Sequence, residues 1–275
     1  MTASGRHVML RVVHAYQTLT NLLYPPACLL CQTSLPAPRD SDASQARQAG
    51  LAPSAGALAD GAMLCKECRG RMPRLGPPVC VRCGAGLPGA FDAAVECAVC
   101  RATPPAFETA RAPWLYAGVM QEAVQQFKYH RRWRLGRWLA DTMAAEARSA
   151  FPLEEVDAVL PVPPHWLKRR FQGFNAAEEL AAAVARSLGK PCVPRALRRR
   201  RWTATQTRLG WQERFRNVQE AFIAPPAQVP HRNLLLVDDV LTSGATANAC
   251  ALALKAAGVC RVFVLTAART ALDDH

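Results

Sequence analysis

Residues 234–246 read Leu-Leu-Leu-Val-Asp-Asp-Val-Leu-Thr-Ser-Gly-Ala-Thr and carry the clearest fold signal in this chain. The continuous apolar run 234–237 predicts a strand that is buried on both faces, as in a parallel sheet. A helix is predicted over residues 245–257. In an open parallel sheet, ligands bind beyond the carboxyl ends of the strands, so we expect Asp238 and Asp239 to face that crevice.

The loop between this strand and helix is short, small and rich in hydroxyl groups. It consists of Thr242, Ser243, Gly244, Ala245 and Thr246. The backbone N–H groups of such a loop and of the helix N-terminus form an anion cradle, and a glycine lets the backbone approach a phosphate closely. No lysine follows the glycine, so the loop is not a nucleoside-triphosphate P-loop. An acid pair beside a phosphate cradle predicts a sugar phosphate ligand; the alternative is a strand-turn-helix with solvated acids.

Strands and helices alternate through the second half of the chain. Helices are predicted over 119–150 and 175–188, the second with Asn175 and Glu178 as a capping box and Gly189 at its end. Short apolar runs at 156–160 and 262–265 predict further strands. This alternation predicts an α/β fold with a parallel sheet flanked by helices.

Eight of the 11 cysteines form four Cys-x-x-Cys pairs within the first 100 residues. The pairs are Cys28/Cys31, Cys65/Cys68, Cys80/Cys83 and Cys97/Cys100. Disulfides need an oxidising compartment, and no export signal is visible. Two knuckles supply the four thiolates of a tetrahedral zinc ion, so two structural zinc sites are predicted, and a reactive dithiol fits less well. Three pairings are open; sequential sites are preferred because they keep the loops local. Cys192, Cys250 and Cys260 are expected to be buried small residues.

Composition and patterning set the domain organisation. We expect an N-terminal amphipathic helix over 1–24, a zinc-ribbon region over 25–105 with a disordered insertion at about 33–63, and the sheet domain over 106–275. No run of about 18 apolar residues occurs, which predicts no membrane span. Polar residues such as Arg11 interrupt the N-terminal apolar stretch, so a signal peptide is not expected. We therefore expect a cytoplasmic location.

The net charge of +13 predicts attraction to polyanions. Basic residues cluster from Lys128 to Arg137, at 168–170 and from Arg195 to Arg216, with tryptophans interleaved. Arginines with aromatic residues are typical of single-stranded DNA binding. The expected nucleic-acid contacts are Arg131, Arg132, Arg199, Arg200, Arg201 and Trp202. The alternative is a solvated basic face whose tryptophans lie in the core.

Residues 237–246 resemble the 5-phosphoribosyl-1-pyrophosphate (PRPP) motif of type I phosphoribosyltransferases. Four more stretches resemble the ComF family, the relatives of competence protein F that include GntX-like proteins. They are Phe127-Lys128-Tyr129, residues 160–164, Gly173-Phe174-Asn175, and Thr203 with Gln206, Arg214 and Asn217. The tandem cysteine pairs are also typical of that family.

The resemblance implies a phosphoribosyltransferase-like sheet preceded by a double zinc ribbon, and it implies roles for individual residues. Asp238 and Asp239 would bind the ribose hydroxyls and Mg²⁺ as the catalytic acids, and Thr242 to Thr246 the 5′-phosphate. Pro161, Val162 and Pro163 would hold the pyrophosphate. Further anion contacts would come from Lys128, Arg198, Gln206 and Arg214. Two positions depart from the family pattern: Gln172 replaces an arginine, and Thr242 stands where purine-salvage relatives often have an aspartate.

Three functions remain open at this stage. The first is a DNA-uptake factor that binds PRPP and single-stranded DNA and works with DNA-uptake machinery proteins. The second is an active phosphoribosyltransferase of nucleotide metabolism, in which a nitrogen nucleophile displaces pyrophosphate from ribose C1. The third is a zinc-ribbon regulator that senses PRPP. Fold alone does not separate them.

Overall fold

The computed structural model describes residues 27–35, 63–89, 94–130, 132–164, 175–199, 221–226, 229 and 232–271. The chain divides into two compact units, Met1–Arg71 and Met72–His275. The second group of cysteine pairs therefore lies in the unit that contains the sheet, whereas the sequence places the boundary near residue 105. The expected helix over 1–24 and the greater part of the expected insertion lie outside the described residues.

The described part of the chain forms short helices around the cysteines and then an alternating α/β arrangement. The helices are α1 (Lys66–Gly70), α2 (Ala98–Ala102), α3 (Gly118–His130), α4 (Trp133–Ala150), α5 (Ala176–Leu188) and α6 (Ala245–Ala256). The strands are β1 (Thr109–Arg111), β2 (Trp114–Leu115), β3 (Ala158–Pro161), β4 (Arg198–Arg199), β5 (Phe222–Ile223), β6 (Asn233–Leu241) and β7 (Arg261–Arg269).

The main sheet is parallel and has the strand order β1-β7-β6-β3, with β2 also paired to β7. Its two central strands, β6 and β7, carry almost only buried residues, which is why the sequence shows continuous apolar runs there. Helices α4, α5 and α6 pack against this sheet. The predicted α/β class, with a parallel sheet flanked by helices, is confirmed.

Both central strands are longer than the apolar runs that predicted them. Strand β6 continues through the acid pair, because β7 keeps the ladder in register from Leu236↔Val264 past Asp238↔Thr266 to Leu241↔Arg269. The acids are thus part of the sheet and not of the following loop. Polar side chains hid this continuation from the sequence pattern.

The single helix predicted over 119–150 is wrong, because the structure has two helices, α3 and α4, that break at Arg132. The Arg132 backbone is non-helical, with φ −75° and ψ 80°. The break lets the helices pack closely: a Cβ on Gly136 would lie 2.2 Å from Cε2 of Phe127. The apolar stripe continues on both sides of the break, so periodicity alone did not reveal it.

Helix α5 ends as predicted but does not begin with the predicted capping box. Gly189 closes it in the left-handed conformation, with φ 66°. Asn175 occupies the N-cap position, but its side chain caps no backbone N–H. Instead its Nδ2 donates to Oε2 of Glu178 over 3.4 Å. None of the described helices is long and apolar enough to cross a membrane.

Candidate functional site

The acid pair lies at the carboxyl end of β6, beside the end of β3. Val162 N donates to the Val237 carbonyl over 2.8 Å, which joins the two strand ends. The turn after β3 and the acid pair, predicted as parts of one ligand site, therefore belong to neighbouring strands. Asp238 is half-buried and Asp239 is 7% exposed.

The two carboxylates have different surroundings, because successive residues of a strand point to opposite faces of the sheet. Asp239 meets Lys128 from α3, whose Nζ lies 2.5 Å from its Oδ2. Burial acts against the charge on Lys128, but the carboxylates of Asp239 and Asp238 outweigh it and raise the pKa of Lys128 above its ordinary value. On the other face of the sheet, Asp238 affects Cys250 of α6. Burial is the main reason that the pKa of the Cys250 thiol is raised, and the negative charge of Asp238 adds to it.

The hydroxyl-rich loop leads directly from β6 into α6. Thr242, Ser243 and Thr246 are exposed. Gly244 has φ 79° and stands at the N-cap of α6 without a side-chain cap. The first N–H groups of a helix lack intrahelical partners, so the start of α6 has the kind of donors that the predicted anion cradle requires. Asn248 secures the helix start, since its Oδ1 accepts a hydrogen bond from Ala106 N over 2.6 Å.

A cavity of about 570 Å³ opens beside the turn that follows β3. Pro161 and Pro163 line it together with Arg195, Arg198 and Glu178. The structure thus brings the predicted pyrophosphate turn and the predicted anion contact Arg198 to one cavity. Three arginines at its wall, Arg195, Arg198 and Arg199, give it the chemistry to meet an anionic group.

Arg199, predicted to contact nucleic acid, is half-buried rather than exposed. Its guanidinium lies 5.3 Å from the ring centroid of Phe222 on the paired strand β5. Burial lowers the pKa of Arg199. Of the remaining predicted nucleic-acid and anion contacts in the basic segments, Arg132 lies at the start of α4. The others lie outside the described residues. Those outside are Arg131, Arg200, Arg201, Trp202, Gln206 and Arg214.

Two cysteine clusters form, each from consecutive Cys-x-x-Cys pairs. Cys28, Cys31, Cys65 and Cys68 make the first, and Cys80, Cys83, Cys97 and Cys100 the second. The sulfur atoms of each cluster lie within 4.8 Å of one another. This confirms the sequential pairing. Four converging thiols are the donor set of structural zinc, so the clusters fit the two predicted zinc ions.

Both clusters are built from the same two local structures. The first pair of each lies in a tight turn: Gln32 N donates to the Cys28 carbonyl and Gly84 N to the Cys80 carbonyl, with both donors at positive φ. The second pair begins a short helix, where Cys65 and Cys97 are the N-caps of α1 and α2. Their sulfurs accept from the N–H groups of Cys68 and Cys100. Each cluster is therefore a tight turn combined with the start of a short helix.

The sulfur environments differ between the clusters. Hydrogen bonds from Thr33 lower the pKa of the exposed Cys31 thiol to about 6. In the second cluster, burial opposes ionisation of Cys80, but backbone donors at Cys83, Cys97 and Arg82 lower its pKa to about 7. Burial raises the pKa of Cys83 to about 11, while the guanidinium of Arg269 acts in the opposite direction.

Arg269 is a residue of this site that the sequence reasoning missed. It ends strand β7, is 4% exposed, and donates from Nη2 to the sulfur of Cys83 over 3.4 Å. A basic residue directly after residues 262–268, which are apolar except for Thr266, is the signal that could have identified it. Among the three unpaired cysteines, Cys250 is buried as expected and Cys192 half-buried, but Cys260 is exposed because it lies in the turn before β7.

No family model matches the chain, but named relatives do. It is 28% identical to competence protein F of Haemophilus influenzae over 211 residues, which is 75% of this chain and 90% of the relative. It is 32% identical to the DNA utilization protein YhgH of Salmonella typhimurium over 212 residues, again 75% of this chain and 90% of the relative. The YhgH protein of Escherichia coli K12 is 31% identical over the same shares.

Two solved structures also align with part of this chain. One is a glutamine PRPP amidotransferase from B. subtilis in complex with ADP and GMP, with a TM-score of 0.36 and 21% identity. The other is described as the allosteric regulatory enzyme of purine biosynthesis, with a TM-score of 0.36 and 19% identity. They cover 51% and 52% of this chain, and this chain covers 30% of each of them.

Proposed function

This chain belongs to the competence protein F (ComF) family, and we propose that it binds PRPP with Mg²⁺ and single-stranded DNA in the uptake or utilisation of DNA. The observation that carries the PRPP half is the acid pair near the end of β6, with an exposed hydroxyl loop and the start of α6 following that strand. Loop donors suit the 5′-phosphate, and carboxylates suit the ribose hydroxyls.

The residues present also fit Mg²⁺ carried in by PRPP. Mg²⁺ in proteins is usually held by one or two carboxylates together with substrate phosphates and water. Asp238, whose Oδ1 accepts a hydrogen bond from Asp239 N, would supply such a carboxylate. The Asp239 carboxylate contacts Lys128. When bound, Mg²⁺ would neutralise charge on the pyrophosphate group. In this proposal the cavity with Arg195 and Arg198 receives that group from the other side.

The DNA half of the proposal is supported by charge and by the relatives. The net charge of +13 favours binding to a polyanion. The relatives carry names that refer to competence and to DNA utilisation. A cytoplasmic location and a partnership with DNA-uptake machinery proteins belong to the same proposal.

Calorimetric titration tests both halves on one preparation, first with PRPP and Mg²⁺ and then with a single-stranded oligonucleotide. Two glycine variants sharpen it. Gly244 and Gly258 flank α6 with φ 79° and 98°, so alanine strains the backbone at either position. We expect Gly244→Ala to weaken PRPP binding at least about tenfold, because a loop donor shift costs about 1.4 kcal/mol or more. Gly258→Ala should leave PRPP binding unchanged.

The outcomes separate the proposal from its alternatives. The proposal of PRPP binding would be refuted if calorimetry detects no heat of binding with PRPP. It would also be refuted if both glycine variants bind PRPP as tightly as the wild type. Release of pyrophosphate with one member of a nucleobase panel would instead favour an active phosphoribosyltransferase. Sequence-specific binding to duplex DNA would favour a regulator.

A further inference from the structure

A second concave surface lies between α3, α4 and α5. It encloses about 330 Å³, which is at the lower end of small-ligand pockets. Phe127 from α3 and Gly136 from α4 contribute to its lining. Because Gly136 has no side chain, the ring of Phe127 packs directly against the α4 backbone.

Trp133 stands at the edge of this groove and is 54% exposed. Its position on α4 explains the exposure, since the buried face of that helix is formed by residues such as Leu135 and Leu139. The other tryptophan of the helix, Trp138, is 4% exposed and stacks on Trp114 with ring centroids 5.7 Å apart. The core therefore uses Trp138 and leaves much of the Trp133 indole facing solvent.

The rest of the groove is strongly basic. Arg134 and Arg137 line it from α4, and Arg186 lines it from α5. Glu179 is the acidic member of its described lining residues. The groove walls are held together at one end, because Arg148 of α4 donates to the carbonyl of Ser187 over 2.6 Å.

We propose that this groove, defined by Trp133, Arg134, Arg137 and Arg186, binds single-stranded DNA. A base stacks on the Trp133 indole and the neighbouring phosphates contact the arginines. This inference rests on the proposed function, to which it adds the binding surface. Trp133, Arg134 and Arg137 belong to the basic cluster from Lys128 to Arg137 that the sequence indicates, but none of the four groove residues is among the individual contacts predicted from it.

Stacking and charge together favour a single strand over a duplex. An aromatic side chain reaches the face of a base only when that base is unpaired and unstacked. The alternative, a basic helix face that only meets solvent, does not explain why a half-exposed indole stands among the arginines. Phe127 and Lys128 are successive residues of α3, and one lines this groove while the other meets Asp239. The groove thus lies beside the proposed PRPP site but shares no residue with it.

Fluorescence anisotropy with labelled oligo(dT), at several salt concentrations, tests the groove on the full chain. We expect Trp133→Ala to lower the affinity about 5- to 150-fold, the range for loss of one stacked base, and Trp133→Phe to retain most of it. Arg137→Gln should reduce the slope of log affinity against log salt by about 0.7. Arg232→Gln removes one charge at the opposite, amino-terminal edge of the sheet and should leave the slope unchanged.

Thermal unfolding of each variant, with PRPP binding as a second check, shows that the fold is intact. If a folded Trp133→Ala variant binds oligo(dT) with wild-type affinity, the groove is not the DNA-binding surface, and the proposed function is unaffected. Equal competition by duplex DNA also overturns the groove proposal. If the wild type does not bind oligo(dT) at all, the groove and the DNA half of the proposed function fall together.

Discussion

Lys128 Nζ lies 2.5 Å from Oδ2 of Asp239, and this ion pair joins the end of α3 to the carboxyl end of β6. The exposed fractions of the two side chains are 28% and 11%. Water therefore screens the pair less than it screens a surface pair. The pair neutralises one of the two acids at the proposed ligand site, so that Asp238 and Asp239 do not present two full charges side by side.

The first prediction concerns the energy of this pair. Lys128→Met should lower the free energy of unfolding by about 1–3 kcal/mol, because it leaves the Asp239 carboxylate buried without its partner. Adding Asp239→Asn should restore much of that loss. The measurement is a double-mutant cycle by urea unfolding. As a control, Lys255→Met breaks the more exposed pair with Glu108, at 3.0 Å, and should cost less than about 1 kcal/mol. If the changes in unfolding free energy caused by Lys128→Met and Asp239→Asn simply add, the two side chains are not coupled and the prediction is contradicted.

The second prediction concerns the acids as ligands. Asp238→Asn together with Asp239→Asn should abolish PRPP binding while the domain stays folded, because both accepting carboxylates at the strand end are removed. Calorimetry measures the binding, and circular dichroism checks the fold. Glu154→Gln, an exposed acid outside the site, should bind PRPP as the wild type does. Unchanged PRPP affinity in the double variant would show that these acids have another role.

The sequence predicted the parts of the fold whose signals are local. Continuous apolar runs located β3, β6 and β7, and Gly189 marked the end of α5. The spacing of the cysteines predicted both clusters, because two neighbouring knuckles need only short loops to converge. Each of these signals depends on residues that are close together in the chain.

What the sequence did not predict depends on contacts between distant residues. The break at Arg132 lets Phe127 pack on Gly136, and no proline or side-chain N-cap marks it in the sequence. The pairing of Lys128 with Asp239 needs the relative placement of α3 and β6. The burial of Arg269 likewise depends on where the second cluster meets β7.

The third prediction concerns metal content. The purified chain should carry about two zinc ions, and Cys28→Ser or Cys80→Ser should each reduce this to about one. Only Cys80→Ser should also lower the melting temperature of the sheet unit, since Cys80 is fully buried in the same core cluster as Leu234 and Leu236. Elemental analysis and thermal unfolding measure the two effects. Cys260→Ser, at an exposed cysteine outside the clusters, should change neither. Disulfides in the native protein would refute the prediction.

The fourth prediction concerns Arg269. A zinc ion with four thiolates carries a net charge of −2, and the buried guanidinium beside Cys83 compensates part of it. Arg269→Met should therefore speed zinc release to a chelator from the second cluster and leave release from the first unchanged. Nε and Nη1 of Arg269 have no hydrogen-bond partner among the described residues, so the metal-free protein should not lose stability from the same change. Equal losses of stability with and without metal would indicate a packing role only.

The last prediction separates the two described arginines of the run 198–201, which sequence reasoning treated together. Both residues line the cavity beside the turn that follows β3. Arg198 is exposed there, whereas Arg199 is half-buried with its guanidinium over Phe222. Arg198→Gln should weaken PRPP binding severalfold with little change in stability, because a cation at the pyrophosphate cavity is lost. Arg199→Gln should instead lower the free energy of unfolding by about 0.5–2 kcal/mol, since it removes a partly desolvated cation–π contact and a packed side chain.

Three measurements on both variants check these roles. They are PRPP affinity by calorimetry, the free energy of unfolding in urea, and the salt dependence of oligonucleotide binding. If Arg199 contacts DNA as the sequence predicts, its variant reduces the salt slope by about 0.7. Equal effects of the two substitutions on PRPP binding and on stability would contradict the different roles that their burial implies.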